Sequence, residues 1–150
     1  MPQSLGYSNI HIIFSTKDRL PIISPEIEQD LYSYICGICR TYNCHVYEIN
    51  GMPDHIHILL EQHRTISVSE LIGKIKANSS KWVSGHSKGY KNFSWQRGYG
   101  YFSVGKQQID AVRKYVKRQK EHHKKTGFED EVKSIYTKLK IKFDERYVWD

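Results

Sequence analysis

The sequence has no long apolar run and no glycine-rich phosphate loop, and among its 150 residues it has only three cysteines and four prolines. Each shortage excludes something. A membrane-spanning helix needs about 20 consecutive apolar residues, so no membrane span is expected. The N-terminal residues lack the charged-then-apolar order of a secretory signal, and the expected location is the cytoplasm. The cysteines Cys36, Cys39 and Cys44 are odd in number, which argues against the disulfide framework of a small secreted domain. Cys36-Gly-Ile-Cys39 could open a zinc site, but no second Cys or His pair follows at ribbon spacing. Reduced thiols on or beside a helix are expected instead. Without a Gly-x4-Gly-Lys-Ser/Thr loop, no nucleotide cofactor is expected. There is no repeat, no low-complexity tract and no linker, so residues 1–150 form one domain, long enough to bury a core.

Positive charge is abundant. Lys and Arg number 23 against 16 Asp and Glu, a net charge of +7. Such an excess says little about fold. It points to a polyanionic partner, of which nucleic acid is the commonest.

Residues 7–16 (YSNIHIIFST) read as a strand from their aromatic and β-branched content. A helix follows, with Ser24 at the N-cap, Pro25 in the first turn, and Ile27, Leu31, Tyr34, Ile35 and Ile38 at helical spacing. Cys44–Asn50 and His55–Gln62 read as two strands joined by a Gly-Met-Pro-Asp turn. Residues 67–86 form a second helix with Val68, Leu71, Ile72, Ile75 and Trp82 inward. Gly98–Gly105 is a fourth strand. One long helix is expected from Lys106 to Lys125 and another from Phe128 to Ile141. The order β-α-β-β-α-β is that of a ferredoxin-like α+β fold: an antiparallel sheet with helices on one face, here followed by two further helices. Its first and third strands are central neighbours, which brings His11 near His55 and His57.

His55-Ile56-His57 alternates, so both imidazoles share one face of the strand, with Cα atoms about 6.7 Å apart. Two imidazoles so placed can converge on a divalent ion. The segment 106–125 adds Tyr115 and Gln119, one helical turn apart. Ile109, Val112 and Val116 form its inward arc with His123 close by, and Tyr115, Gln119 and His122 lie on the flank. Eight Lys/Arg against two Asp/Glu cover the rest. A strand His-x-His, a helical Tyr-x3-Gln and a basic chain together suggest phosphodiester chemistry, with a metal polarising phosphate and a tyrosine attacking it.

These segments resemble a known family. Residues 53–59 (PDHIHIL), 93–105 (FSWQRGYGYFSVG), 112–123 (VRKYVKRQKEHH) and 143–150 (FDERYVWD) are similar, in order and spacing, to the short single-tyrosine transposases of the HUH endonuclease superfamily, including the insertion-sequence and REP-associated types. The resemblance implies Tyr115 as catalytic nucleophile and His55, His57 and Gln119 as metal ligands. It implies magnesium or manganese as cofactor and single-stranded DNA with hairpin ends as substrate. It further implies a homodimer with composite active sites, in which the nucleophile helix docks on the partner subunit; Gly105, after the fourth strand, offers the hinge, and docking on the helix's own chain is the alternative.

Lys17, Arg19, Lys74, Lys81, Arg97, Lys106 and Arg113 are candidate DNA phosphate contacts, and Trp95, Tyr99 and Tyr101 are candidates for stacking on unpaired bases. A rival reading is a non-catalytic binding module of the RNA-recognition type, which shares the βαββαβ order but uses aromatics on its central strands, where this chain has histidines. A histidine-triad hydrolase would need a third histidine where Leu59 stands.

Overall fold

A computed structural model describes residues 2–86, 88–122 and 127–150. Four strands, β1 (Asn9–Ser15), β2 (His45–Met52), β3 (His55–Glu61) and β4 (Gly100–Ser103), form one antiparallel sheet in the order β2-β3-β1-β4. The expected α+β architecture is therefore the observed one, with β1 and β3 central and β4 at an edge. The register sets Ile13 opposite His57 and Ser15 opposite His55, while His11 lies opposite both Leu59 on β3 and Phe102 on β4. Directly opposed residues share a face, so all of these side chains belong to one side of the sheet.

The other side carries Ile10, Ile12, Phe14, Ile56, Ile58 and Leu60, covered by α1 (Pro25–Thr41) and α2 (Val68–His86) in one continuous apolar core. Ser24 occupies the N-cap of α1, but its hydroxyl bonds to Tyr90 Oη and leaves the helix end uncapped. Ser67 does cap α2, accepting the Glu70 N–H at 3.1 Å. The inward face of α1 uses Tyr32, not the expected Tyr34, which is exposed. Trp95 also belongs to this core: its ring packs edge-on against Phe14 and Phe93, and its Nε1 donates to Ser79 Oγ at 2.9 Å. The expectation that Trp95 stacks on bases is thereby overturned.

Three further helices cover the histidine side: α3 (Ile109–Lys117), α4 (Gln119–His122) and α5 (Phe128–Lys138). The single helix expected from 106 to 125 is thus broken, and residues 123–126, with His123 among them, lie outside the described residues. The break falls at Arg118 (φ −95, ψ 16), whose N–H is shared between the carbonyls of Lys114 and Tyr115. No Gly or Pro causes it. Asn50 Nδ2 donates to the Lys117 carbonyl at 3.0 Å, and Lys120 Nζ reaches the Gly51 carbonyl at 2.6 Å. Contacts from the end of β2 thus satisfy the last turn of α3 and draw the chain aside. β4 starts later than the expected Gly98, whose N–H donates to the Asp150 carbonyl at 2.6 Å, and the residues before it are tied elsewhere. Trp95 bridges Thr16, and Lys76 Nζ donates to the carbonyls of Gln96, Arg97 and Gly98.

Candidate active site

The β2–β3 hairpin sets the first two side chains. Strand pairing continues to Met52–His55, which leaves Pro53 and Asp54 as the turn. Gly51 is needed beside it: a Cβ there would stand 2.2 Å from the His55 carbonyl oxygen on the partner strand. The turn places the Asp54 carboxylate 2.7 Å from His55 Nδ1. His55 and His57 are both completely buried, and their rings meet at 5.2 Å.

The helices bring the remaining groups. Tyr115 on α3 sets its ring 5.8 Å from that of His57 and 6.1 Å from that of His11, edge-on to both. Gln119 at the start of α4 is fully buried. The structure therefore gathers all four residues expected at the site, and it does so within one chain. It also adds Glu131 from α5, which the sequence reading passed over. One carboxylate oxygen, Oε1, lies 3.0 Å from His57 Nε2 and 3.8 Å from His55 Nε2. The other, Oε2, accepts the Tyr115 hydroxyl and, at 3.4 Å, the Gln119 amide N–H.

Glu131 was hidden by its position. Acids in the first turn of a helix are expected as complements to the helix dipole, and Glu129, Asp130 and Glu131 all stand there. The signal lay in the spacing. Phe128, Val132, Ile135 and Tyr136 make the apolar stripe of α5, and position 131 falls inside it. A buried acid on an apolar stripe needs partners, and the histidine face supplies them.

Ligand atoms of His55, His57 and Glu131 all lie within 4.8 Å of one another. Gln119 Oε1, pointing into the same buried region, has no hydrogen-bond partner among the described residues. An orphaned buried carbonyl oxygen is costly, and a cation would satisfy it. Two imidazole nitrogens with carboxylate and amide oxygens are a donor set suited to a divalent ion, so these residues fit one.

The electrostatics set the proton inventory. Burial pushes the Tyr115 phenol well above its usual range, and its hydrogen bond to Glu131 and that group's charge add to the effect. Tyr115 therefore keeps its proton in this arrangement. Burial and the neighbouring His57 hold His11 down to about 3, partly opposed by Glu131, so His11 is neutral. A cavity of about 510 Å³ between β4, α3 and α5 reaches His11, Tyr115 and Glu131.

Of the expected DNA contacts, Lys17, Lys74, Lys81, Arg97 and Lys106 are exposed. Arg19 is paired with Glu129 at 2.9 Å, and Arg113 lies 3.3 Å from Glu48. Tyr101 is exposed and Tyr99 half-buried. The side chain of His122 lies outside the described part of the structure.

The sequence model of the IS200-like transposases matches residues 5–119. The chain belongs to the IS200-like transposase family. It is 34% identical over 119 residues to the transposase for insertion sequence element IS200 of Salmonella typhimurium, covering 76% of this chain and 78% of that one. Its fold is similar to a solved structure from Deinococcus radiodurans R1, with a TM-score of 0.61 and 18% identity over 79% of this chain and 98% of the other. It is also similar to a REP-associated tyrosine transposase solved bound to a REP hairpin, with a TM-score of 0.60 and 16% identity over 82% of this chain and 74% of that one. As in an IS200-like transposase, the family match takes in the His-x-His strand and ends on Gln119. The RNA-recognition alternative loses its footing, because α3, α4 and α5 cover the sheet face that such a module would present. No described helix is long and apolar enough to cross a membrane.

Proposed function

We propose that this transposase cleaves and rejoins single-stranded DNA beside hairpin ends, with Tyr115 as nucleophile and a covalent 5′-phosphotyrosine as the intermediate. The observation that carries the reading is the shared carboxylate. Glu131 holds the Tyr115 hydroxyl on one oxygen and faces His57 and His55 with the other, so nucleophile and ligand cluster are joined through one side chain. The hairpin-bound REP-associated relative supports the choice of substrate. The reaction is assigned to the cytoplasm, where the DNA is.

His55, His57, Gln119 and Glu131 would hold a divalent ion, magnesium or manganese. When bound, such an ion supplies Lewis acidity toward a phosphate oxygen and helps orient the phosphate for in-line attack. The chain's own residues manage the rest. A buried phenol with a raised pKa is not deprotonated in advance, so its proton must leave as the oxygen attacks. Glu131 Oε2 already accepts that hydrogen bond and takes the proton. The Tyr115 Oη–P bond forms, the P–O3′ bond breaks, and the leaving 3′-oxygen takes a proton from water. A second 3′-hydroxyl reverses the step and regenerates the phenol. The bond energy is conserved, and no nucleotide is consumed. Lys17, Arg97 and Lys106, with Lys74, Lys81, Arg19 and Arg113, are proposed to hold phosphates away from the reacting centre.

The working unit is proposed to be a homodimer whose composite sites pair one chain's histidines with its partner's tyrosine. In the described chain α3 rests on its own β2 and β3, yet Val116 is its only buried side chain. Docking on the partner would mean a pivot at Gly105 and an exchange of the α3 contacts to Asn50, Glu48 and Glu131 for those of the partner.

The test is incubation with a single-stranded hairpin oligonucleotide and Mn²⁺, followed by denaturing electrophoresis for a covalent adduct. Tyr115→Phe should abolish the adduct while retaining DNA binding, since only one oxygen is lost. An adduct formed by the Phe variant would remove Tyr115 from the role.

A further inference from the structure

His11 is buried at the centre of the sheet, and no step above uses it. Its Nε2 lies 2.9 Å from His57 Nδ1, and the two rings stack at 5.1 Å with an interplanar angle of 22°. Resting on the metal-site reading above, we propose that His11 is a positioning residue: it accepts the Nδ1–H of His57 and so fixes the tautomer that turns the His57 Nε2 lone pair toward a divalent cation.

A neutral imidazole carries one N–H and one lone pair. His57 has a neighbour on each nitrogen, His11 at Nδ1 and the Glu131 carboxylate at Nε2, 3.0 Å away. One arrangement satisfies both contacts without a cation, and a second does so once a cation stands between His57 Nε2 and the Glu131 carboxylate. In one, Nε2–H donates to Glu131 and Nδ1 accepts from His11. In the other, Nδ1–H donates to His11 and the Nε2 lone pair faces the cluster. Only the second can ligate a cation, and it requires an acceptor at the position of His11 Nε2.

His55 has no such choice. Its Nδ1 faces the Asp54 carboxylate at 2.7 Å. An ionised carboxylate only accepts, so the proton of His55 is held on Nδ1 whether or not a cation is present. His57 differs because its Nδ1 partner is another imidazole, which can donate or accept. The site thus has one preset ligand and one that depends on His11. Outer partners of this kind typically govern about 10–100-fold in metal affinity.

The test uses the full chain without DNA and measures Mn²⁺ binding by the loss of the free-ion electron paramagnetic resonance signal. His57→Ala should weaken binding, and if it does not, both the metal reading and this proposal fall. With that control in place, His11→Phe, which fills the space but cannot accept, should weaken binding about 10–100-fold. His11→Gln, whose amide oxygen reaches a similar position, should stay near wild type. Wild-type affinity in the Phe variant, or equal losses in Phe and Gln, would overturn the proposal. Nitrogen-15 spectra of the wild-type histidines with Mg²⁺ give an independent reading that needs no variant to fold. They should show the proton of His57 on Nδ1, and a proton found on Nε2 would refute the assignment.

Discussion

The two faces of the sheet are built on opposite terms. Under α1 and α2 the strands present Ile, Leu and Phe without interruption, and the apolar cluster runs from Ile10 to Trp95. On the other face the apolar contacts split into two small groups. Ile13 and Phe102 meet Phe128, Val132 and Tyr136 of α5, while Leu59 and Val104 meet Val116 of α3. Between them lie His11, His55, His57, Gln119 and Glu131, all buried. One face carries the stability, and the other gives up apolar burial to hold polar groups at low dielectric, where their interactions with a charged substrate are strongest.

The sharpest way to break the contrast is on the polar face. His57→Ala should remove cleavage altogether while leaving the α1–α2 core untouched. Combined with Tyr115→Phe on a second chain, it also tests the composite site. If α3 docks on the partner, a mixed dimer contains one site with intact histidines and an intact tyrosine, and activity returns. If α3 keeps the own-chain seat described here, neither site is complete. Once subunit exchange is demonstrated, inactive mixed dimers would rule out the partner arrangement for the cleaving state.

The apolar face should respond in the opposite sense. Ile58 neighbours His57 in sequence but points into the α1–α2 core and is completely buried. Ile58→Ala should cost about 2–5 kcal/mol in denaturant unfolding, while the surviving folded fraction keeps its activity per molecule. A loss in specific activity as large as that of His57→Ala would mean that the two faces are not separable.

This division also explains what could be read from the sequence. The alternation of residues 55–60 separated the two faces correctly, because a buried face and a site face leave the same period-2 mark. The helical spacing of Tyr115 and Gln119 put both on one side of their segment, and both do reach Glu131. The break at Arg118 left no mark, because the contacts beside it run to Asn50 and Gly51 of β2, across the fold, and no local breaker stands there. Glu131 was legible only as an acid within an apolar stripe, and the helix-dipole explanation masked it. Trp95 was misplaced because an aromatic in a strand-like segment does not say which face it will join. The isolated bridge from Trp95 to Thr16 is a long-range contact with no local signature.

A gentler change on the polar face concerns Gln119. Its Oε1 is the orphaned atom, and an amide oxygen is a weaker ligand than imidazole. Gln119→Ala should reduce cleavage by about tenfold, near 1.4 kcal/mol, with partial recovery at higher Mn²⁺. Loss as complete as in His57→Ala would give the amide a larger role than ligation.

The most gradual effect is a pH dependence, and it follows from burying a neutral histidine. His11 is faced by His57 from β3, Tyr115 from α3 and Glu131 from α5. Burial, with the neighbouring His57, pushes its pKa down to about 3 from an ordinary 6.5. Below pH 6.5 the unfolded chain therefore protonates His11, and the folded chain does not until the pH nears 3. The unfolded state binds more protons throughout that window, so the stability from this group is intact above pH 6.5 and declines as the pH falls toward 3. The slope is at most about 1.4 kcal/mol per pH unit. Urea midpoints in EDTA at pH 7, 6 and 5 should fall less steeply for His11→Phe than for wild type. The carboxylates and the remaining histidines contribute to both slopes, so only their difference reports on His11. Parallel slopes would mean that His11 takes up a proton in the folded chain as readily as in the unfolded one. The polar face would then admit water that its burial excludes.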